Sequence, residues 1–434
     1  MERFIKIKDE FFKAGGFMFP KRVLKYLLPL MALCMTVLAA CGTTPPANTG
    51  PTVDHSGTIT IWHNWAGSYL AEKQAIFDAY MKKYPKVTIT LVNQDNLIDK
   101  SIAAVNANSG PDMIAWVDDS LGKLAKANIV VPMDQYISQD FVDKTYNKAA
   151  AQGVEFNGHV WGVPESVEAV TIMYNKALVT ADQLPKSTDD LLNFEKTYST
   201  AHPGQYGVVW NTEDPYFNAD WFYGFGAFYV HEDSKVGLNN PQGIAAANYI
   251  AQFKQYLPSQ ISYDVASSLF SEGKAAAIIN GPWSYADYKG KAGIDVGFAT
   301  LPKVTANSNT PAKPFVGVKS LWVTKLSKNP ALDADLMKFF TNKENQIAQA
   351  QANGEIPSNL AADQDSTVAA LPAVGGFAAQ ATLGVALPNT PYMSALWTPV
   401  GDALTAIWTG AQTPEAAMAA AQTAAEQGIA QLGS

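Results

Sequence analysis

From residue 57 onward, apolar and polar positions follow two alternating periods, one of strands and one of helices. "TITIW" (58–62) reads as a buried strand, and "KVTITLV" (86–92) sets Val87, Ile89 and Leu91 on one face of another. Between them Leu70, Phe77, Tyr80, Met81 and Tyr84 recur at helical spacing until Pro85 stops the run. "DMIAWV" (112–117) is a further short strand behind the turn "SGP", and "GHVWGVPES" with "AVTIMYN" reads as paired extended segments about a turn. Ser187 or Thr188 caps the helix "DDLLNFEKTY", where Asp189–Asp190 suits the positive end of the helix dipole. "AAAIINGPW" runs from a strand into a tight turn, and "VGFAT" is one more strand. After Ala331 the chain becomes mainly helical, closing in "TPEAAMAAAQTAAEQGIAQ" with Thr413 as cap and Pro414 in the first turn. Strands that alternate with helices predict an α/β fold.

The first forty residues fall outside this pattern. Lys21, Arg22 and Lys25 lead into "YLLPLMALCMTVLAA", which is short for a membrane span and ends in small residues before Cys41. "LAAC" resembles a bacterial lipobox, so 1–40 is expected to be a lipoprotein-type signal peptide and Cys41 the lipidated first residue. Met18 is an alternative start. Residues 41–56, with "CGTTPPANTGPT", form a Gly/Thr/Pro tether. Removing 1–40 takes away seven Lys/Arg and three Asp/Glu, so the net charge moves from −8 to −12. Both Arg residues and Cys34 leave with it. The mature chain thus has no internal disulfide, and its acidic, Arg-free surface argues against nucleic acid as a partner.

Catalytic motifs are scarce. There is no HExxH, CxxC, Walker-type loop or GxGxxG, so zinc-protease, redox and nucleotide readings lack support, and no metal or cofactor is expected. The SxxK matches Ser120–Lys123 and Ser271–Lys274 lack their companion motifs. Adjacent acids such as Asp118–Asp119 and Glu213–Asp214 do not define the gap of about 5–10 Å that a glycosidase needs. What does stand out is "EDPYFNADWFYGFGAFYV" (213–230), with eight aromatic rings in eighteen residues. Trp221, Phe222, Phe225, Phe228 and Tyr229 are expected to form a helix face packed in a core.

Several segments fall in one order: "ITIWHNW", "SGPDMIAWVDDSLGKLAKANIVVPM", "GVPESVEAVTIMYNKALV", "EDPYFN", "AAAIINGPWSY", "LPKV…KPFVGVKSLWV" and "LPNTPYMSALWTPVGDAL". Over roughly 57–425 this set resembles the extracellular solute-binding lipoproteins of ABC importers, and most of all the maltose/maltodextrin-binding proteins. The resemblance implies a two-lobed periplasmic-binding-protein-like α/β fold (class II type) with several hinge crossings and the ligand in the cleft between lobes. The N-lobe would comprise 57–166 plus 300–320 and the C-lobe 167–299 plus 325–434. It also implies a non-catalytic monomer, lipid-anchored on the outer face of the bacterial cytoplasmic membrane, that hands malto-oligosaccharide or a related glycan to the permease subunits of a transporter.

Such a cleft needs rings for the C–H face of a sugar and polar groups for its hydroxyl rim. The resemblance places stacking rings at Trp116, Tyr216, Trp283 and Trp397, and acids at Asp119, Glu168 and Asp214. Asn64 would be a polar residue of the first loop, and the role of Trp65 is open. The rim departs from the pattern. "WAGSY" lacks the usual basic residue, Ser120 and Gly401 stand where Arg is usual, and Ile98 stands for an acid. A different di- or oligosaccharide or a polyol is therefore the alternative ligand, and a surface-anchored glycoside hydrolase a remote second class.

Overall fold

The computed structural model describes residues 53–433. The signal segment, Cys41 and the tether as far as residue 52 lie outside the described residues. Among those described, no helix is long and apolar enough to cross a membrane.

Two sheets organise the chain. The larger runs in the order Ile356–Pro357, Gly162–Glu168, Phe315–Val323, Met113–Val117, Gly57–His63, Val87–Asn93, with Val385–Ala386 added at one end of the long Phe315–Val323 strand. Gly57–His63 pairs in parallel with both of its neighbours, whereas Phe315–Val323 is antiparallel to Met113–Val117 and to Gly162–Glu168. Every residue of Gly162–Glu168 is buried, the mark of a strand covered on both faces. The smaller sheet runs Val296–Ala299, Thr171–Asn175, Ala275–Asn280, Tyr206–Val209. The chain is thus a two-lobed α/β protein, as the resemblance implied.

The predicted pairing of "GHVWGVPES" with "AVTIMYN" does not form. Gly162–Glu168 belongs to the larger sheet and Thr171–Asn175 to the smaller, so the two intervening residues carry the chain from one lobe to the other. The reason is competition: Gly162–Glu168 is hydrogen-bonded on both sides, by Phe315–Val323 and by Ile356–Pro357. A return crossing follows Val296–Ala299 and leads into Phe315–Val323.

The Gly67–Lys83 helix buries Tyr69, Lys73, Ile76, Phe77 and Tyr80 at helical spacing. The helices Pro330–Phe340 and Lys343–Asn353 pack on it. Trp65 is fully enclosed, stacked on His63 at 4.8 Å and set against Phe77 and Phe340, so it belongs to the core. The aromatic stretch divides. Asp214 caps the Pro215–Phe225 helix, which Gly226 ends in the left-handed region at φ 97°. Trp221, Phe222 and Phe225 are buried on that helix, but Phe228 and Tyr229 sit on a separate strand, Phe228–Val230. The expected single helix face is corrected at Gly226, because a glycine there ends the helix in a conformation other residues rarely adopt.

Candidate functional site between the sheets

One face of a single strand makes the floor of the site. Alternation along Phe315–Val323 puts Phe315, Gly317 and Lys319 on the same side. Phe315 lies 6.1 Å from the ring of Tyr216 and 6.2 Å from that of Trp397. Gly317 leaves room for its neighbours: a Cβ there would stand 3.1 Å from Val117 and 3.6 Å from the Tyr216 hydroxyl. Lys319 Nζ lies 5.8 Å from the centre of the Trp283 ring. Tyr216 and Trp283 meet edge to face at 6.0 Å. The rings of Trp397, Phe315, Tyr216 and Trp283 therefore form one continuous row.

Helix starts hold the mobile ends of that row in place. Asp214 Oδ1 accepts from the backbone N–H groups of Tyr216 (2.7 Å) and Phe217, which fixes Tyr216 in the first helical turn. Trp283 follows Pro282 at the start of the Pro282–Tyr288 helix, folded over Gly281; a Cβ at Gly281 would be 2.2 Å from its ring. Trp397 opens the Trp397–Thr409 helix, and its Nε1 donates to Asp119 Oδ2 at 2.9 Å. That bond joins the end of the Met113–Val117 strand region to a helix packed on Pro215–Phe225 and Pro241–Ala251.

The polar side is acidic and dry. Asp119 is 7% exposed; burial raises its pKa to about 6 against the hydrogen bonds from Trp397 and Ser120. Glu168 is buried opposite Gly317 in the neighbouring strand, and burial also raises it, with Lys319 pulling the other way. Its Oε1 meets Lys319 Nζ at 3.1 Å and accepts from the Tyr69 hydroxyl at 3.3 Å. Asp118 is buried too; burial raises its pKa well above the usual range, and its Oδ1 accepts from Val318 N at 2.9 Å. Behind Glu168, the buried Lys73 ammonium pairs with Glu165 at 2.8 Å and Glu355 at 2.6 Å. On the side of Gly153, Val318 and Ala386, a groove of about 950 Å³ also reaches Asp118.

Of the residues expected from sequence, Asp119, Glu168, Tyr216, Trp283 and Trp397 come together here, with Asp214 seated behind Tyr216. Trp116 is placed apart. It pairs with Ser320, one residue out of phase with the Val117–Lys319 pair, and packs against the smaller core cluster of Ile114, Leu121 and Trp322 on the other face of the sheet. Asn64 is exposed in the turn before the Gly67–Lys83 helix. Sequence reading missed Lys319, Phe315 and Tyr69. Their one signal was a lysine in the middle of the otherwise apolar "FVGVKSLWV".

Comparison with known proteins now bears on this geometry. The family described as bacterial extracellular solute-binding protein matches residues 75–376. A maltotriose-binding protein of Pyrococcus abyssi is 30% identical over 80% of this chain and 77% of its own length. A galactooligosaccharide-binding protein of Bacillus subtilis is also 30% identical, over 74% of this chain and 78% of its own. Among solved structures, the maltose/maltodextrin-binding domain from Bdellovibrio bacteriovorus bound to maltotriose superposes with a TM-score of 0.80 at 26% identity, covering 86% of this chain and all of that one.

Proposed function

The chain belongs to the bacterial extracellular solute-binding proteins, and from that premise we propose that it captures malto-oligosaccharides for an ABC importer. The observation that carries the reading is the row Trp397–Phe315–Tyr216–Trp283 set beside the buried acids Asp119 and Glu168. The half-buried rings of Trp397, Tyr216 and Trp283 offer apolar faces to C–H faces of a glycan, and the fully buried Phe315 packs behind them. The acids accept from hydroxyls, and burial makes each such bond directional and expensive to leave unmade. Asp214 supports Tyr216 and supplies a further acceptor, Asn64 would stand at the outer edge of the site, and Trp116 lies outside the row of rings.

In this reading the lobes close over sugar, and the closed form docks on the permease. The lobe division we propose keeps 57–168 and 315–323 in one lobe and 171–299 in the other, so that neither Gly162–Glu168 nor Phe315–Val323 is cut. It adds the helices and strand of 330–357 to the first, because they contact the Gly67–Lys83 helix and the Gly162–Glu168 strand. Lipid attachment at Cys41 would keep the protein at the outer membrane face; the support is the "LAAC" sequence. A second reading, with a galacto-oligosaccharide as ligand, has the Bacillus subtilis relative in its favour.

The test is calorimetric titration of the chain from Gly42 onward with maltotriose, maltose, trehalose, cellobiose and a galactotriose. Micromolar or tighter binding of maltotriose, lost in Trp283→Ala and Trp397→Ala, is the expected result. A response to the galactose series alone would transfer the site to the second reading, and silence toward every sugar would refute both.

A further inference from the structure

The cleft contains many acceptors and few donors. When ionised, Asp118, Asp119 and Glu168 only accept, and no arginine occurs among the described residues. Sugar hydroxyls can donate to these acids, but ring and glycosidic oxygens can only accept. The rings bring few donors of their own: the Trp397 N–H is taken by Asp119, and the Tyr216 hydroxyl is one group for several oxygens. Each acceptor oxygen buried without a partner costs about 1–3 kcal/mol, so a further donor in the floor would count.

Lys319 is placed to be that donor. It is 7% exposed, in the centre of the larger sheet, on the same face as Phe315 and Gly317 and directly below Trp283. An ammonium has three N–H groups. One meets Glu168 Oε1 at 3.1 Å and one meets the Tyr69 hydroxyl at 3.2 Å, with the ammonium 4.2 Å from the Tyr69 ring centre. These two contacts hold the head group and leave one N–H uncommitted, with the Trp283 ring centre 5.8 Å from Nζ. The neighbouring buried groups are acidic: Glu168 directly, with Glu165 and Glu355 behind it around Lys73. Holding a lysine in this strand and a glutamate in its neighbour has no evident advantage for folding, since a buried ion pair gains little or nothing over apolar residues of the same volume. The rest of that strand face is apolar or glycine.

We propose that Lys319 is a specificity-determining residue of this cleft, donating from its ammonium to an acceptor oxygen of the sugar unit stacked on Trp283. In an Arg-free chain it supplies the cationic donor, and Glu168 beside it accepts from the adjoining hydroxyl. The inference rests on the sugar-binding reading above. A donor–acceptor pair at fixed spacing reads the orientation of one sugar unit relative to the next, so it discriminates linkages; stacking alone does not.

Titrating wild type, Lys319→Met and Lys319→Arg with maltotriose and with cellotriose tests this, with the thermal midpoint of each sugar-free protein measured alongside. Lys319→Met is expected to bind maltotriose at least tenfold more weakly and to bring the ratio of the two affinities toward one, with its midpoint lowered because Glu168 stays buried without its cation. Lys319→Arg, whose planar fork does not reproduce a point-like ammonium, is expected to shift that ratio at least threefold while folding normally. A purely structural lysine would lower the midpoint of the Met variant equally but leave affinities and ratio within twofold of wild type; that result overturns the proposal. If Lys319→Met fails to fold, an unchanged ratio in Lys319→Arg overturns it equally. Wild-type silence toward both sugars overturns the sugar reading and this inference together, whereas normal wild-type binding with unaffected variants overturns this inference alone.

Discussion

At the scale of single residues, the site is shaped by what burial does to charge. The Asp119 carboxyl is lifted to about 6 by desolvation, and the N–H of Trp397 offsets only part of that. A carboxyl raised in the folded state binds more protons there than in the unfolded chain between pH about 4 and 6. Folding therefore gains stability as pH falls through that window and loses it as pH rises. At neutral pH the penalty is on the order of 3 kcal/mol. Asp119→Asn is expected to raise the melting temperature of the sugar-free protein at pH 7 and to leave it nearly unchanged at pH 4. Sugar binding runs the opposite way, because hydroxyls donate to the ionised form. Affinity for maltotriose should weaken below pH 6 in wild type and lose that dependence in the variant. Melting curves and titrations at four pH values check both, and a variant less stable than wild type at pH 7 would contradict the assignment. Lys73 makes the converse case. Lys73→Met leaves Glu165 and Glu355 buried without their cation, so a loss of about 3–5 kcal/mol is expected by chemical denaturation.

At the scale of elements, the rings are only as well placed as the turns that launch them. Gly281 precedes Trp283 with an ordinary φ of −105°, so alanine is no strain on its backbone. The new Cβ would nevertheless fall 2.2 Å from the Trp283 ring, and the ring must move. Gly281→Ala is expected to cost maltotriose affinity about as much as Trp283→Ala does, with the secondary structure intact by circular dichroism; unchanged affinity would take Trp283 out of the site. Such local devices were partly legible in the sequence. "NGPW" reads as a tight turn, where the structure starts a helix at Pro282, and sequence reading missed that Asp214 of "EDPY" is a helix cap. The strands "TITIW" and "KVTITLV" were legible because their alternation was regular. The crossing at residues 169–170 was not, because two adjacent extended segments look alike whether they pair with each other or with distant strands. Nor was Lys319, since its role depends on Glu168 and Trp283, which lie 151 and 36 residues away and reach it only through sheet order. Trp116 misled for a related reason: strand alternation puts it out of phase with Val117, and only the register with Ser320 shows which face that is.

At the scale of the whole molecule, the polar links across the cleft are few. Trp397 reaches Asp119, Lys289 Nζ donates to Gln351 O at 3.2 Å, and Asp287 lies against Gly67. Beside these few links, the buried Phe315 packs on Tyr216, Tyr223 and Trp397, and the balance between open and closed forms is then set by what fills the cleft. A ligand shifts such an equilibrium only by its differential affinity for the closed form; a swing from mostly open to mostly closed needs about 10⁴-fold preference. Small-angle scattering should therefore give a larger radius of gyration without sugar and a smaller one with saturating maltotriose. Trp397→Phe keeps a ring in the row but removes the N–H that bridges to Asp119. It should bind about ten- to 150-fold more weakly, the range of a hydrogen bond to a charged partner, yet close fully once saturated. The fluorescence change on binding should fall with it, because Trp65, Trp210, Trp221, Trp322 and Trp408 are already fully buried and have no environment left to change. If calorimetry shows sugar binding while scattering curves with and without sugar superimpose, the cleft is a preformed slot, and the Trp397–Asp119 bond holds one lobe to the other whether or not sugar is present.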